Sequence, residues 1–223
     1  MIEFLIALAA FIAAHVLPAA TGLRARLIDR LGRSTYLIGY SAVSLVTLVW
    51  LVSAALRAPY IGLWPTGPVT ALVPIVAMLP ACVLAAGAAT RPNPLSISFL
   101  GGQTDPEKPG ILALVRHPIL WAFFLWSASH AIANGDLVAL IMFGGFALFS
   151  LAGMGRMERR AKQTMTPDDF QAAMAISRGA SADRLRQAFS VRTVIELVAG
   201  VVLFAALLAL HGPVIGIYPL ALI

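Results

Sequence analysis

Residues 136–162, DLVALIMFGGFALFSLAGMGRMERRAK, show the pattern that decides the fold. The first nineteen of them contain one charged side chain, Asp136, whereas the eight that follow contain five. An apolar run of about 18 residues is long enough to cross a bilayer as an α-helix, and a cluster of cations at its end is typical of the cytoplasmic membrane surface. The stretch therefore predicts a transmembrane helix that ends in the cytoplasm.

Apolar segments of this kind recur along the whole chain of 223 residues, of which 60% are hydrophobic and 12% charged. We predict six, at 2–20, 35–56, 69–89, 111–133, 136–154 and 193–211. They leave no room for a separate soluble domain. The sequence thus predicts a single all-α domain over residues 1–223, a polytopic bundle of about six transmembrane helices.

The sixteen Lys and Arg residues are distributed unevenly between alternate connections. Fifteen lie in or beside the connections that follow the first, third and fifth segments, and Arg57 lies on the other side. Because Lys and Arg accumulate in cytoplasmic loops, both the N-terminus and the C-terminus are predicted to be outside. Topology also explains the net charge of +6, so the charge does not indicate nucleic-acid binding.

Two connections carry recognisable patterns. Residues 90–110 contain four prolines and three glycines, which exclude a continuous helix, and we expect this cytoplasmic loop to fold back on the protein. Residues 155–192 are predicted to form amphipathic pieces on the inner membrane surface, with Phe170, Met174 and Ile176 on the apolar face. Thr166 is a predicted helix cap before Pro167, and Ser181 is predicted to begin a further short helix.

Histidines inside the apolar segments are the first candidates for chemistry, because ionisable groups within a membrane are costly. A lone histidine is most often a hydrogen-bond donor between helices, but two of them can hold a haem iron inside a helix bundle. His15 lies in the first segment, and His117 and His130 lie about 20 Å apart along the fourth, too far to share an iron. His15 is expected to be closer in depth to His117, so its partner remains open between the two. Trp126 and neighbouring aromatic residues suit a flat macrocycle.

The sequence Arg116-His117-Pro118 marks the start of the fourth segment. A helix N-terminus offers free amides and a positive dipole to a carboxylate or phosphate, so these residues predict an anion or cofactor site. A simple cationic anchor on the cytoplasmic side explains Arg116 equally well.

The chain resembles the NnrU family of bacterial membrane proteins, which is linked to denitrification and nitric-oxide metabolism. The resemblance rests mainly on RHPILWAFFLWSASHAIANGD at 116–136, with support from LRARLIDRLGRSTYLIGYSAVSL at 23–45 and FGGFALFSLAGM at 143–154. The family includes 15-cis-zeta-carotene isomerases, which hold a b-type haem with two histidines. The resemblance implies a multi-pass protein of the bacterial inner membrane, with His15 and His130 as haem ligands. Ser127 stands where the isomerases have a cysteine.

A weaker resemblance is to isoprenylcysteine and phospholipid methyltransferases. It rests on Arg116-His117-Pro118 and on the later Glu158, and it implies S-adenosylmethionine as an alternative cofactor. Three functions therefore remain: a haem protein of nitrogen-oxide metabolism or an isomerase-like enzyme on a lipophilic substrate, a methyltransferase, and a non-catalytic assembly factor. No catalytic residue is identified from the sequence. The expected partners are membrane lipids and a lipophilic small molecule.

Overall fold

A computed structural model describes residues 1–177, 183, 186 and 188–223, and the side chain of Ala19 is outside this description. The described residues form an all-helical fold without β-strands, with one isolated bridge between Gly62 and Asp136. The predicted helix start at Ser181 lies outside the described residues. The α-helices with described bounds are α1 (Ile2–Ala20), α2 (Leu23–Leu31), α3 (Arg33–Arg57), α4 (Pro68–Ala89), α5 (Pro118–Asn134), α6 (Leu137–Thr164), α7 (Pro167–Ile176) and α8 (Val191–Ile215).

Four of these helices, α3, α4, α6 and α8, are long and apolar enough to cross a membrane. The bent pair formed by Ile2–Pro18 and Leu23–Leu31 raises the number to five if it makes one crossing. With 17 residues, α5 is at the short limit for a spanning helix. The all-helical class is thus confirmed, with four to five candidate spans in the described part of the chain.

The outer surfaces of the helices are strongly apolar. Val46, Leu56 and Val69 are 68%, 82% and 79% exposed, and many other large aliphatic side chains share this exposure. Contiguous apolar surface of this extent is rare on soluble proteins and marks contact with a membrane or a partner. The helices therefore have the surface expected of a membrane protein.

The fourth predicted segment, 111–133, was wrong at its start. Gly110–Ala113 form a 3-10 turn, and the α-helix begins only at Pro118. Proline disfavours helical backbone at the residue before it, and His117 accordingly takes φ −121° and ψ 62°. Pro118 then occupies the first helical position, where its missing N–H costs nothing.

The fifth predicted segment, 136–154, ended too early, because α6 continues to Thr164. Its last turns contain Arg, Lys, Glu, Ala and Gln, which are good helix formers in spite of their polarity. The start of α7 was predicted well: the Thr166 hydroxyl accepts a hydrogen bond from the Asp169 amide. The apolar residues Phe170 and Met174 of α7 pack against protein, on a core of Leu95, Ala161 and Ala173.

Contacts within the fold separate two compact units. The first comprises Met1–Leu63 with Asp136–Val138, and in it α1 packs on α3, with an ion pair of 2.6 Å between Glu3 and Arg57. The second comprises Trp64–Gly135 with Ala139–Ile223, and in it α4 packs against α5 and α8. A side chain at Gly200 of α8 would lie 2.6 Å from the Cα of Val83, so glycine permits the close α4–α8 contact.

Candidate functional site

The structure brings three of the predicted site residues together at the start of α5. Arg116 and His117 immediately precede this helix, and Glu158 reaches them from α6. Its Oε1 lies 2.6 Å from Arg116 Nη1 and 3.1 Å from His117 Nε2. The residues that resemble the methyltransferase pattern therefore form one polar cluster in the folded chain.

Two further residues hold Arg116 in this cluster. Its guanidinium donates to the hydroxyl of Ser177 at 3.3 Å and to the carbonyl oxygen of Ser177 at 3.1 Å. The Asn93 amide donates to the Arg116 carbonyl oxygen at 2.8 Å. Asn93 and Ser177 could not be chosen from the sequence, because each is separated from Arg116 by more than twenty residues of irregular or helical chain. These hydrogen bonds give Arg116 a structural role in addition to its predicted role in binding an anion or cofactor.

His117 is the most deeply buried member of the cluster, with 4% of its surface exposed. Burial lowers its pKa, although the hydrogen bond and charge of Glu158 act in the opposite direction. The carboxylate only accepts hydrogen bonds, so Nε2 carries the proton of the neutral ring. Among the described residues Nδ1 has no hydrogen-bond partner, so it is a buried acceptor on a ring that Glu158 holds in place. This arrangement is suited to accept a proton or a hydrogen bond.

The space beside the cluster is small. A cavity of about 10 Å³ lies next to Arg116 and Ser177, and Ala173 and Ile176 of α7 help to close it. This volume is at the lower limit for one water molecule. The cavity is far smaller than a cofactor such as S-adenosylmethionine.

His15 lies in the first unit and is partly buried on α1. Its Nδ1 is 2.7 Å from the carbonyl oxygen of Phe11, one helical turn earlier. The rings of Phe11 and Tyr40 lie 4.3 Å and 5.7 Å from the imidazole, measured between ring centroids.

His130 lies in the second unit and is partly buried on α5. Its Nδ1 is 2.7 Å from the carbonyl oxygen of Trp126, again one turn earlier. Phe143 and Trp126 surround its ring at 5.5 Å and 5.7 Å. Trp126 is therefore a neighbour of His130. The Arg116 cluster lies about 13 Å from Trp126, toward the start of α5.

The same hydrogen bond fixes the same tautomer in His15 and His130. A backbone carbonyl accepts only, so Nδ1 carries the proton and the lone pair is on Nε2. Metal-bound histidines usually donate their other N–H in this way. His117 has the other tautomer, because its Nε2 donates to Glu158 and the lone pair is on Nδ1.

Two further polar residues were not predicted from the sequence. The ring of His211, given no role from the sequence, lies 6.5 Å from that of His130. Glu196 on α8 is 4% exposed and forms a buried ion pair with Arg91, which was counted among the loop cations. A single carboxylate within the apolar segment 193–211 was the available indication.

Within the described residues, no group of three or more His, Cys, Asp and Glu side chains is placed to hold a metal ion. A family model described as NnrU protein matches residues 3–219 of the chain. No curated protein and no solved structure matches it.

Proposed function

The chain belongs to the NnrU family, and on that premise we propose that it is a membrane protein that binds b-type haem. His15 and His130 are the residues that would hold the haem iron. The observation that carries the proposal is their shared tautomer: in each ring Nδ1 lies 2.7 Å from a carbonyl oxygen, which leaves the lone pair on Nε2. Their aromatic neighbours provide apolar surface suited to a porphyrin.

Main-chain and side-chain groups have separate parts in this proposal. The carbonyl oxygens of Phe11 and Trp126 orient the two imidazoles, and Phe143 and Tyr40 limit the rotation of the rings. When bound, haem iron supplies a Lewis-acid or redox centre. The proposed role is in nitrogen-oxide metabolism or in isomerisation of a lipophilic substrate.

The haem proposal is tested by the absorption spectrum of the purified full chain. We expect a Soret band that is lost in His15→Ala and in His130→Ala. His117→Ala and His211→Ala serve as matched controls, since each removes an imidazole from the same protein. A band that survives in His130→Ala but disappears in His211→Ala or His117→Ala contradicts the ligand assignment.

The Arg116 cluster supports a second candidate, a methyltransferase that uses S-adenosylmethionine. The supporting observation is the contact of Glu158 with both Arg116 and His117, beside a buried Nδ1 acceptor. Calorimetric titration with S-adenosylmethionine tests it. Binding that is lost in Glu158→Gln and retained in Arg159→Gln, which removes an exposed neighbouring charge, supports the methyltransferase; absence of heat in the wild-type chain refutes it.

We also propose six crossings of the bacterial inner membrane with both termini outside. The support is the uneven distribution of Lys and Arg, together with the apolar character of α1 and α5. Cys82 is the single cysteine and is buried, so a Cys82→Ala background allows one cysteine to be placed at either terminus or in α7. A membrane-impermeant maleimide should label the termini of intact cells and leave α7 unlabelled; the reverse pattern contradicts the topology.

A further inference from the structure

A second cavity, of about 390 Å³, opens where α4 ends and α8 begins. This volume falls within the range of small-ligand sites. The cavity lies on the side of the second unit that the charge distribution predicts to be cytoplasmic. Its lining residues differ from the proposed haem and methyltransferase residues and include Arg91, Asp105, Lys108, Val191 and Arg192.

Arg91 forms a fixed wall of this cavity. Its guanidinium contacts Glu196 at 3.0 Å, Thr193 Oγ1 at 3.3 Å and the Lys108 carbonyl oxygen at 2.5 Å. Gly110 makes room for it, since a Cβ there would lie 2.1 Å from the guanidinium carbon. These contacts hold the chain segments on both sides of the cavity in place.

The lining residues carry more positive than negative charge. Arg91, Lys108 and Arg192 line the cavity together with Asp105, and the single charge of the buried Glu196 is shared between Arg91 and Arg192. Asp105 is partly occupied by the Glu107 amide, which donates to its Oδ1 at 2.9 Å. The side chain of Lys108 is exposed and can turn its three donors toward a ligand. The site therefore favours an anion with several acceptor oxygens.

One lining residue, Val191, belongs to an exposed apolar stretch at the start of α8. Phe189 and Val191 are 68% and 80% exposed at the start of α8, and Ile195 continues this surface along the helix at 63%. Basic pockets at the ends of membrane helices bind anionic lipid headgroups in this arrangement, with the acyl chains beside the apolar helix.

We propose that this cavity binds a phosphate group, carried either by an anionic phospholipid or by a soluble phosphate ester. Lys108 and Arg192 supply the charge, and Arg91 shapes the wall. The inference does not depend on haem or on S-adenosylmethionine. It also assigns Lys108 to ligand binding, beyond its contribution to the orientation of the chain.

The test uses the purified full chain, titrated with phosphatidylglycerol, with phosphatidylcholine and with glycerol 1-phosphate, with retention measured by native mass spectrometry. Lys108→Ala should weaken binding about fivefold, the loss expected for one cation near an anionic headgroup. Lys162→Ala removes an exposed lysine from α6 and is the matched control. Asp105→Asn should strengthen binding, because it removes the one carboxylate of the lining and keeps an acceptor for the Glu107 amide.

The two sources of phosphate give different results. Selective retention of phosphatidylglycerol that depends on Lys108 supports a lipid site, and competition by glycerol 1-phosphate supports a soluble ester. The proposal is overturned if neither probe binds. It is equally overturned if Lys108→Ala and Lys162→Ala weaken binding alike, or if Asp105→Asn does not strengthen it.

Discussion

Replacement of Glu196 by alanine should destabilise the protein severely. Glu196 and Arg91 are 4% and 3% exposed, and the carboxylate also accepts a hydrogen bond of 2.5 Å from Thr90 and pairs with Arg192 at 3.4 Å. The substitution leaves the Arg91 guanidinium buried without its counter-charge. Removal of one partner of such a pair costs about 3–5 kcal/mol. On the scale of soluble proteins of this size, that corresponds to a decrease in melting temperature of roughly 6–20 °C.

The experiment compares melting temperatures in one detergent by loss of helical circular dichroism. Glu107→Ala removes an exposed carboxylate and should change stability by less than about 0.5 kcal/mol. The double variant Arg91→Met/Glu196→Leu removes both charges and should recover most of the loss, since apolar replacements of a buried pair are often tolerated. A Glu196→Ala chain that melts with the wild type, or a double variant less stable than the single one, would refute the reasoning.

Three further predictions concern local structure. Gly110→Ala should lower the melting temperature, because Gly110 has φ +55° and the new methyl group would overlap the Arg91 guanidinium; Gly101→Ala, which meets no atom within 4 Å, is its control. Thr166→Ala should destabilise α7 by about 1 kcal/mol through loss of its cap, seen as faster hydrogen exchange in α7, and Thr166→Ser should restore protection. Burial lowers the pKa of His117 in the folded chain, so on acidification the unfolded chain takes up a proton at His117 before the folded chain does. The stability that depends on neutral His117 is therefore present above a pH of about 6.5 and is lost as the pH falls toward the folded pKa. His117→Gln should reduce that dependence in melting curves between pH 5 and 7.5, and an unchanged slope would contradict it.

The sequence was sufficient to locate the long apolar helices, because apolar length is a local property. It also located the start of α7, where Thr166 and Pro167 are adjacent in the chain. It was insufficient at the ends of α5 and α6. Apolar character continues before Pro118 although the backbone cannot remain helical there, and helix propensity continues past Met154 although apolar character ends.

Contacts between residues far apart in the sequence could not be predicted from it. Arg91 and Glu196 are separated by 105 positions, and nothing local distinguishes Arg91 from the other cations that follow α4. The resemblance predicted Arg116, His117 and Glu158 as a set, and the fold brings them together. Ser177 and Asn93 also contact Arg116, but they lie in irregular segments whose positions cannot be predicted from sequence periodicity. His130 was named as a ligand candidate, whereas its neighbour His211 depends on how α8 packs.

The proposal of a haem protein is tested most directly by the Soret absorbance per chain of protein produced with an ample haem supply. We predict a Soret band in the wild type, its loss in both His15→Ala and His130→Ala, and its retention in His117→Ala and His211→Ala. A wild-type chain that is folded and helical but has no Soret band would contradict the account.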